Sequence, residues 1–150
     1  SQRLLLESTD GVMLQLGDAT ERTMRTLHTL GIAVAIDDFG TGYSSMAYLK
    51  LPAVAYLKID RSFVTGLPSD TNDAAITAAM LAMSRSLGLT TIAEGIETEA
   101  QHDFLVRAGC IEGQGYLYSY PLRPDEIQHL LCPSQPMPAP RLKLVPPNRG

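Results

Sequence analysis

Short apolar runs that end in charged side chains, separated by stretches with helical spacing, restrict the fold of this chain more than any other feature. The clearest is Ile32-Ala33-Val34-Ala35-Ile36, uncharged, rich in β-branched residues and followed at once by Asp37 and Asp38. A run that is apolar at every position suits a strand covered on both faces, as in a parallel sheet. Leu4-Leu5-Leu6 reads as a short buried strand leading into Glu7, Thr9 and Asp10. Ala55 to Asp60 includes Lys58, and Leu89 to Ala93 leads into Glu94 and Glu97. A short fifth run, Gly113 to Leu117, carries Gln114.

Helices are expected between these runs. Residues 18–21 have the form of a capping box, with Asp18 as cap and Glu21 three positions on. Met24, Leu27 and Leu30 then recur at helical spacing before Gly31. A second helix is expected from Asp73 to Leu87, with Ile76, Met80, Met83 and Leu87 on one face and alanines suited to packing on a sheet. Gly88 is its stop. Thr98 and Gln101 form another capping box, opening a helix with Phe104, Leu105 and Ala108 inward and Gly109 at its end. A helical turn is expected within 44–50, and a last helix from Pro124 to Leu131, with proline at the favoured first position.

Strictly alternating strands and helices mean an α/β fold with a parallel sheet, whose functional residues gather beyond the carboxyl ends of the strands. Residues 1–131 form one domain. Residues 132–150 hold six of the ten prolines without periodicity and read as a disordered tail.

Composition narrows the function. A net charge of −4 with no block of lysine or arginine argues against binding DNA or RNA. The uncharged stretch Ala74 to Ser84 is too short to span a bilayer. No signal peptide is expected, and Cys110 and Cys132 form no CxxC pair, which suits a reducing, cytoplasmic location.

Adjacent carboxylates at the mouth of a buried strand repel each other and need hydration, pairing or a cation. A helix cap or turn would account for one of them. Carboxylates at four successive strand ends make a hard-cation site, and all-oxygen ligands suit Mg²⁺ or Mn²⁺. Asp37, with Asp38 beside it, could bridge two ions, and two ions about 3.5–4 Å apart stabilise both oxygens of an in-line phosphoryl displacement. Lys58 either neutralises this cluster or orients or deprotonates an attacking water. Gly40, Thr41 and Gly42 form either a tight turn or a loop closing over substrate. Tyr43 and Tyr116 lie near enough for one of them to stack on a base. Met80 and Met83 read as core, and His28 and His102 as surface helix residues.

Four ordered motifs, DDFGTGYSS (37–45), LKIDRSFV (57–64), AEGIETEAQ (93–101) and GQGYLYSYPL (113–122), resemble the EAL domain of bacterial cyclic di-GMP phosphodiesterases. The resemblance runs from about Leu4 to Leu131. It implies a partial TIM-like barrel, about five strands of eight, with two Mg²⁺ or Mn²⁺ ions hydrolysing cyclic di-GMP to linear pGpG. It implies Glu7, Asp37, Asp38 and Glu94 as metal ligands. Lys58 would contact the catalytic water, Glu97 would support the metal-and-lysine network, and Gln114 would reach a metal-bound water. Asp10, Gly40, Thr41, Gly42, Tyr43, Asp60 and Arg61 would line the substrate or its loop. Asp10 stands where the family usually has a glutamate anchoring the loop after the Asp pair. Ile111 and Gly113 depart from the residues common before QGY. No Glu-x-Leu segment and no upstream asparagine ligand are present, so the isolated chain is expected to be inactive. The alternative is a non-catalytic cyclic di-GMP-binding or protein-interaction module. A homodimer through the domain is expected for the full-length form.

Overall fold

The computed structural model describes residues 4–9, 17–42, 46–123 and 143–144. Among the described residues, six strands form one sheet in sequential order, each neighbouring pair parallel. They are β1 (Leu5–Thr9), β2 (Ala33–Phe39), β3 (Val54–Ile59), β4 (Thr90–Ala93), β5 (Glu112–Gly113) and β6 (Lys143–Leu144). The connections carry α1 (Gly17–Thr29), a 3₁₀ turn (Tyr48–Lys50), α2 (Arg61–Thr65), α3 (Thr71–Leu87) and α4 (Glu99–Ala108).

The apolar run behind β2 behaves as its composition dictates. Ala33, Val34, Ala35 and Ile36 are all buried, so both faces of the strand are covered. Leu57 and Ile59 of β3 and Ile92 and Ala93 of β4 continue the core sideways, and Val64, Leu81 and Leu105 close it from the helices. Burying each of the larger side chains contributes about 1.5–3 kcal/mol. That anchors the central strands firmly enough to hold charged groups at their ends.

Several elements differ from the sequence expectation. Leu4 and Leu6 are exposed rather than buried, because β1 pairs with β2 on one side and with no described strand on the other. Helix α1 starts at Gly17, which puts Asp18 in its first turn rather than at the cap. In α1, Met24 is buried and Leu27 packs on the core, but Leu30 lies past the last turn and is 67% exposed. Helix α3 opens two residues early, because the Asp70 carboxylate accepts the backbone N–H groups of Asn72 and Asp73 at 2.8 and 3.0 Å. Its buried face is Thr77, Met80, Leu81 and Ser84, while Ile76, Leu87 and most of the alanines face outward. A seventeen-residue helix of small and apolar residues offers two plausible stripes, and the neighbours choose between them. The fifth strand ends at Gly113, where the chain turns to pair Gln114 and Leu117 with the β4–α4 loop. Residues 143–144, within the expected proline-rich tail, pair with β5; the remainder of 132–150 and the expected helix 124–131 lie outside the described residues. The α4 capping box forms as expected, and Gly88 and Gly109 close α3 and α4 with left-handed backbone.

Helix α2 was not expected. Asp60 opens it, its carboxylate accepting the Ser62 N–H at 2.9 Å and the Ser62 hydroxyl at 2.5 Å. Burial raises the Asp60 pKa, but the Ser62 bonds, the Arg61 N–H and the Arg61 charge outweigh it, leaving the carboxyl below its ordinary 3.8. A carboxylate with a depressed native pKa stabilises the fold above the unfolded value and loses that contribution as pH falls through the native one. Asp60→Ala is therefore expected to cost about 1 kcal/mol at pH 7. In urea titrations the difference from wild type should shrink once the pH drops below 3.8; a pH-independent difference would show that the charge does not make the cap.

Candidate active site

Four strand ends meet at one lysine. Lys58 projects from β3 with its side chain only 3% exposed. Its ammonium donates to Glu7 Oε2 of β1 at 3.1 Å and Asp37 Oδ2 of β2 at 2.9 Å. It also pairs with Glu94 Oε1, just past β4, at 2.8 Å. The parallel register explains the meeting: Glu7 stands beside Ala35 and Thr9 beside Asp37, and the Glu94 N–H bonds the Ile59 carbonyl next to Lys58. Burial alone would pull the Lys58 pKa down. Hydrogen bonds to Glu94 and Asp37, the Glu94 charge and the bond to Glu7 reverse this, so the group lies above its ordinary value.

One ammonium facing three carboxylates leaves the cluster with excess negative charge. Burial above all pushes the Glu94 pKa up; Lys58 pulls it down, and the smaller effects of the Asp37 and Glu7 charges raise it. The lysine is satisfied while its partners compete for it. A further cation would relieve the imbalance, and the donor set is entirely oxygen, so these residues suit a hard divalent cation.

Asp38 sits differently. The β2–β3 register breaks between Ile36 and Phe39, and Asp38 takes a left-handed backbone with φ of 54°. Such a conformation costs a non-glycine residue on the order of 1–3 kcal/mol, and bulges of this kind re-aim side chains beside functional sites. Asp37 Oδ1 accepts the Asp38 N–H at 3.0 Å, stapling the bulge. Burial raises the Asp38 carboxyl pKa, with the Asp37 and Asp60 charges adding to it and Lys58 opposing. Gly40 (φ 92°) follows, and a Cβ there would collide with Met80 and press on Phe63. The Thr41 hydroxyl and N–H both bond the Asp38 carbonyl, at 2.8 and 3.2 Å. Residues 38–41 are thus a fastened turn, whereas Gly42 has open space around it.

Other expected site residues occupy distinct places. Gln114 donates through Nε2 to Glu94 Oε1 at 2.6 Å, so it holds the same oxygen that Lys58 holds. Glu97 lies outside the lysine cluster and pairs with Arg61 at 3.0 Å, the arginine stem crossing over Gly95. Tyr116 is exposed and stacked on Tyr120 with ring centroids 4.6 Å apart. Asp10 and Tyr43 lie outside the described residues. Met80 is buried, and Met83 packs against the core from a partly buried position.

His102 is a correction. It is 7% exposed rather than on the surface, because α4 turns it toward the Tyr118 ring, and its Nδ1 lies 3.2 Å from Asp103 Oδ1. With Glu99 and Asp103 it forms a trio of possible ligand atoms within 4.8 Å of one another. That trio lies on α4, apart from the lysine. The strand-end carboxylates are instead fanned around an ammonium. Reading side-chain types missed Gln101, whose capping-box position was the available signal, and the Arg61–Glu97 pair, which no local pattern announces.

The sequence model of the EAL domain family matches residues 1–121. The chain belongs to the EAL domain family. It is 44% identical over 124 residues to the bifunctional diguanylate cyclase/cyclic di-GMP phosphodiesterase MucR of Pseudomonas aeruginosa, covering 83% of this chain and 18% of that protein. It is also 44% identical over 119 residues to the cyclic di-GMP phosphodiesterase NbdA of the same organism, covering 79% and 15%. Among solved structures it superposes on the MucR phosphodiesterase in complex with c-di-GMP with a TM-score of 0.77 and 44% identity, covering 83% of this chain and 50% of that one. The EAL domain of Mycobacterium smegmatis DcpA gives a TM-score of 0.78 and 46% identity, covering 85% and 57%. The chain therefore spans under a fifth of these curated relatives and about half of these solved EAL chains. The parallel sheet with alternating helices is the corresponding part of the TIM-barrel-like EAL fold. Among the described residues, no helix is long and apolar enough to cross a membrane.

Lys58 gives this EAL cluster a direct test. Breaking a buried ion pair by removing one partner typically costs about 3–5 kcal/mol, and the partial exposure of these carboxylates lowers that to about 2–4 kcal/mol. Lys58→Met should shift the urea midpoint by a corresponding amount. A change below about 0.5 kcal/mol, the range of an ordinary surface substitution, would mean the ammonium does not tie the strand ends together.

Proposed function

We propose that this chain is the C-terminal part of a metal-dependent phosphodiesterase that hydrolyses cyclic di-GMP to linear pGpG. The convergence of Glu7, Asp37 and Glu94 on Lys58, with Asp38 beside them on a strained bulge, carries the reading. Glu7, Asp37, Asp38 and Glu94 would hold two Mg²⁺ or Mn²⁺ ions, which supply charge stabilisation to the attacking and leaving oxygens of a phosphoryl displacement.

The chain's own residues do the positioning. Lys58 holds Glu7, Asp37 and Glu94 at fixed separations from one donor, so their oxygens face a common point. Gln114 fixes the rotation of the Glu94 carboxylate from the far side. Arg61 is exposed at the rim, where its guanidinium can exchange Glu97 for an incoming phosphate. The fastened turn at Gly40 and Thr41 keeps the bulged aspartates in place without a long loop. Exposed Tyr116 offers a ring face for a guanine base.

The same family match suggests where activity resides. The chain covers about half of the solved EAL chains, and no Glu-x-Leu segment lies within it. The purified 150-residue chain should give little or no pGpG from cyclic di-GMP with Mg²⁺ or Mn²⁺, as measured by anion-exchange chromatography. An EAL domain that includes this chain should convert it, and EDTA should stop the reaction. In that domain Asp37→Asn should lower turnover by about 100-fold or more. Rapid Mg²⁺-dependent hydrolysis by the short chain would show that it needs no further part of the domain, whereas full activity of Asp37→Asn would overturn the assignment. Tight binding of the dinucleotide by the domain without turnover would favour the binding-module alternative.

A further inference from the structure

We propose that Gln101 is a positioning residue for the phosphodiester site, fixing the loop that carries Glu94 and Glu97. The inference rests on the functional reading above and adds a residue that touches neither substrate nor the acidic cluster.

Gln101 lies in the first turn of α4 and is 6% exposed. A capping box needs one reciprocal pair: the cap side chain accepts the N3 amide, and the N3 side chain accepts the cap amide. Both bonds are present, from the Gln101 N–H to Thr98 Oγ1 at 3.2 Å and from the Thr98 N–H to Gln101 Oε1 at 2.9 Å. Two more bonds lie outside that motif. Gln101 Oε1 also accepts the Glu97 N–H at 2.8 Å, and Nε2 donates to the Thr65 carbonyl in the last turn of α2 at 3.3 Å. One buried amide therefore joins the end of the β4–α4 loop to the helix that follows Lys58.

The rest of the loop is stitched in the same manner. The Glu94 N–H bonds Ile59 O at 3.0 Å, and the Ile96 N–H bonds Gln114 O at 3.1 Å. Gly95 sits under the Arg61 stem, and the Arg61 guanidinium pairs with Glu97. Gln101 supplies the last anchor, at the residue whose carboxylate meets Arg61. A glutamate would satisfy the cap equally well. It could not donate to Thr65, and it would add a negative charge beside a rim already crowded with carboxylates. The neutral amide, acceptor and donor at once, is what this place requires.

The test uses the 150-residue chain, with amide hydrogen exchange by NMR and Mn²⁺ affinity from paramagnetic broadening. Gln101→Met should accelerate exchange at Glu97 and Thr98 and weaken Mn²⁺ binding about tenfold, the loss typical when a ligand-supporting group is removed. Thr98→Ala removes the other half of the capping box but leaves the Glu97 bond. It should lower thermal stability to a similar extent while keeping Mn²⁺ affinity within about twofold. If Gln101→Met does not fold, Gln101→Asn, one methylene too short to reach both amides, replaces it. Equal losses of Mn²⁺ affinity in Gln101→Met and Thr98→Ala would reduce Gln101 to a helix cap and overturn the proposal, as would unchanged exchange at Glu97. If the wild-type chain binds no Mn²⁺, the affinities are measured in an EAL domain that includes it, and no Mn²⁺ binding there means that the metal reading fails. The Glu97 exchange rates then decide separately whether Gln101 holds the loop.

Discussion

A single ammonium shared by three strands' carboxylates is the constraint on which this molecule turns. Lys58 could not be buried without partners, and Glu7, Asp37 and Glu94 could not approach one another without a cation between them. Each side of the cluster makes the other tolerable. The result is not neutral, however: the lysine lies above its ordinary pKa while Glu94 is pushed up by burial and by its acidic neighbours. A site in that condition is electrostatically unfinished. It holds its shape through one fixed positive charge and still favours the arrival of more.

Rigidity around the cluster comes from main-chain bonds rather than from bulk. The acidic side chains emerge from strand ends whose other residues are deeply buried, so their Cα positions are set by the core. Two places beside the cluster where the described chain leaves regular geometry, the Asp37–Asp38 bulge and the Glu94–Glu97 loop, are each fastened by side chains reaching backbone. Asp37 and Thr41 do so for the first, and Gln101 for the second. The strained backbone at Asp38 persists because its surroundings over-determine it. Asp37, Asp38 and Glu94 thus sit on irregular backbone joined to a regular frame.

Where the sequence misled, the cause was long-range. Leu30 and Ile76 sit at correct helical spacing, yet Leu30 falls past the last turn of α1 and Ile76 lies on the face of α3 that α2 and the sheet do not cover. His102 looked like a surface residue, because nothing local shows that Tyr118 returns to pack against it. Leu4 and Leu6 looked buried because their run resembles β2, but at the edge of the described sheet both are exposed. Helix α2 was legible in principle: Asp60 followed by Ser62 is a capping pattern, obscured by its position directly after a strand. Gln101 was seen as half of a capping box, and its bonds to Glu97 and Thr65 depend on how α4 meets α2.

The sequence by itself determined the alternation of strand and helix, the parallel sheet, the caps at Thr98, Gly88 and Gly109, and the set of acidic side chains at the strand ends. All of these follow from interactions within a few residues, or from a periodicity that a single strand or helix imposes. Only the tertiary structure decided that Lys58 stands at the centre of the carboxylates, that Gln114 shares Glu94 with it, and that Gln101 ties two helices to the rim. Those contacts join residues 20 to 51 positions apart, and a nitrogen-to-oxygen distance near 3 Å across such a span is fixed by the register of neighbouring strands and, for Gln101, by how α4 meets α2.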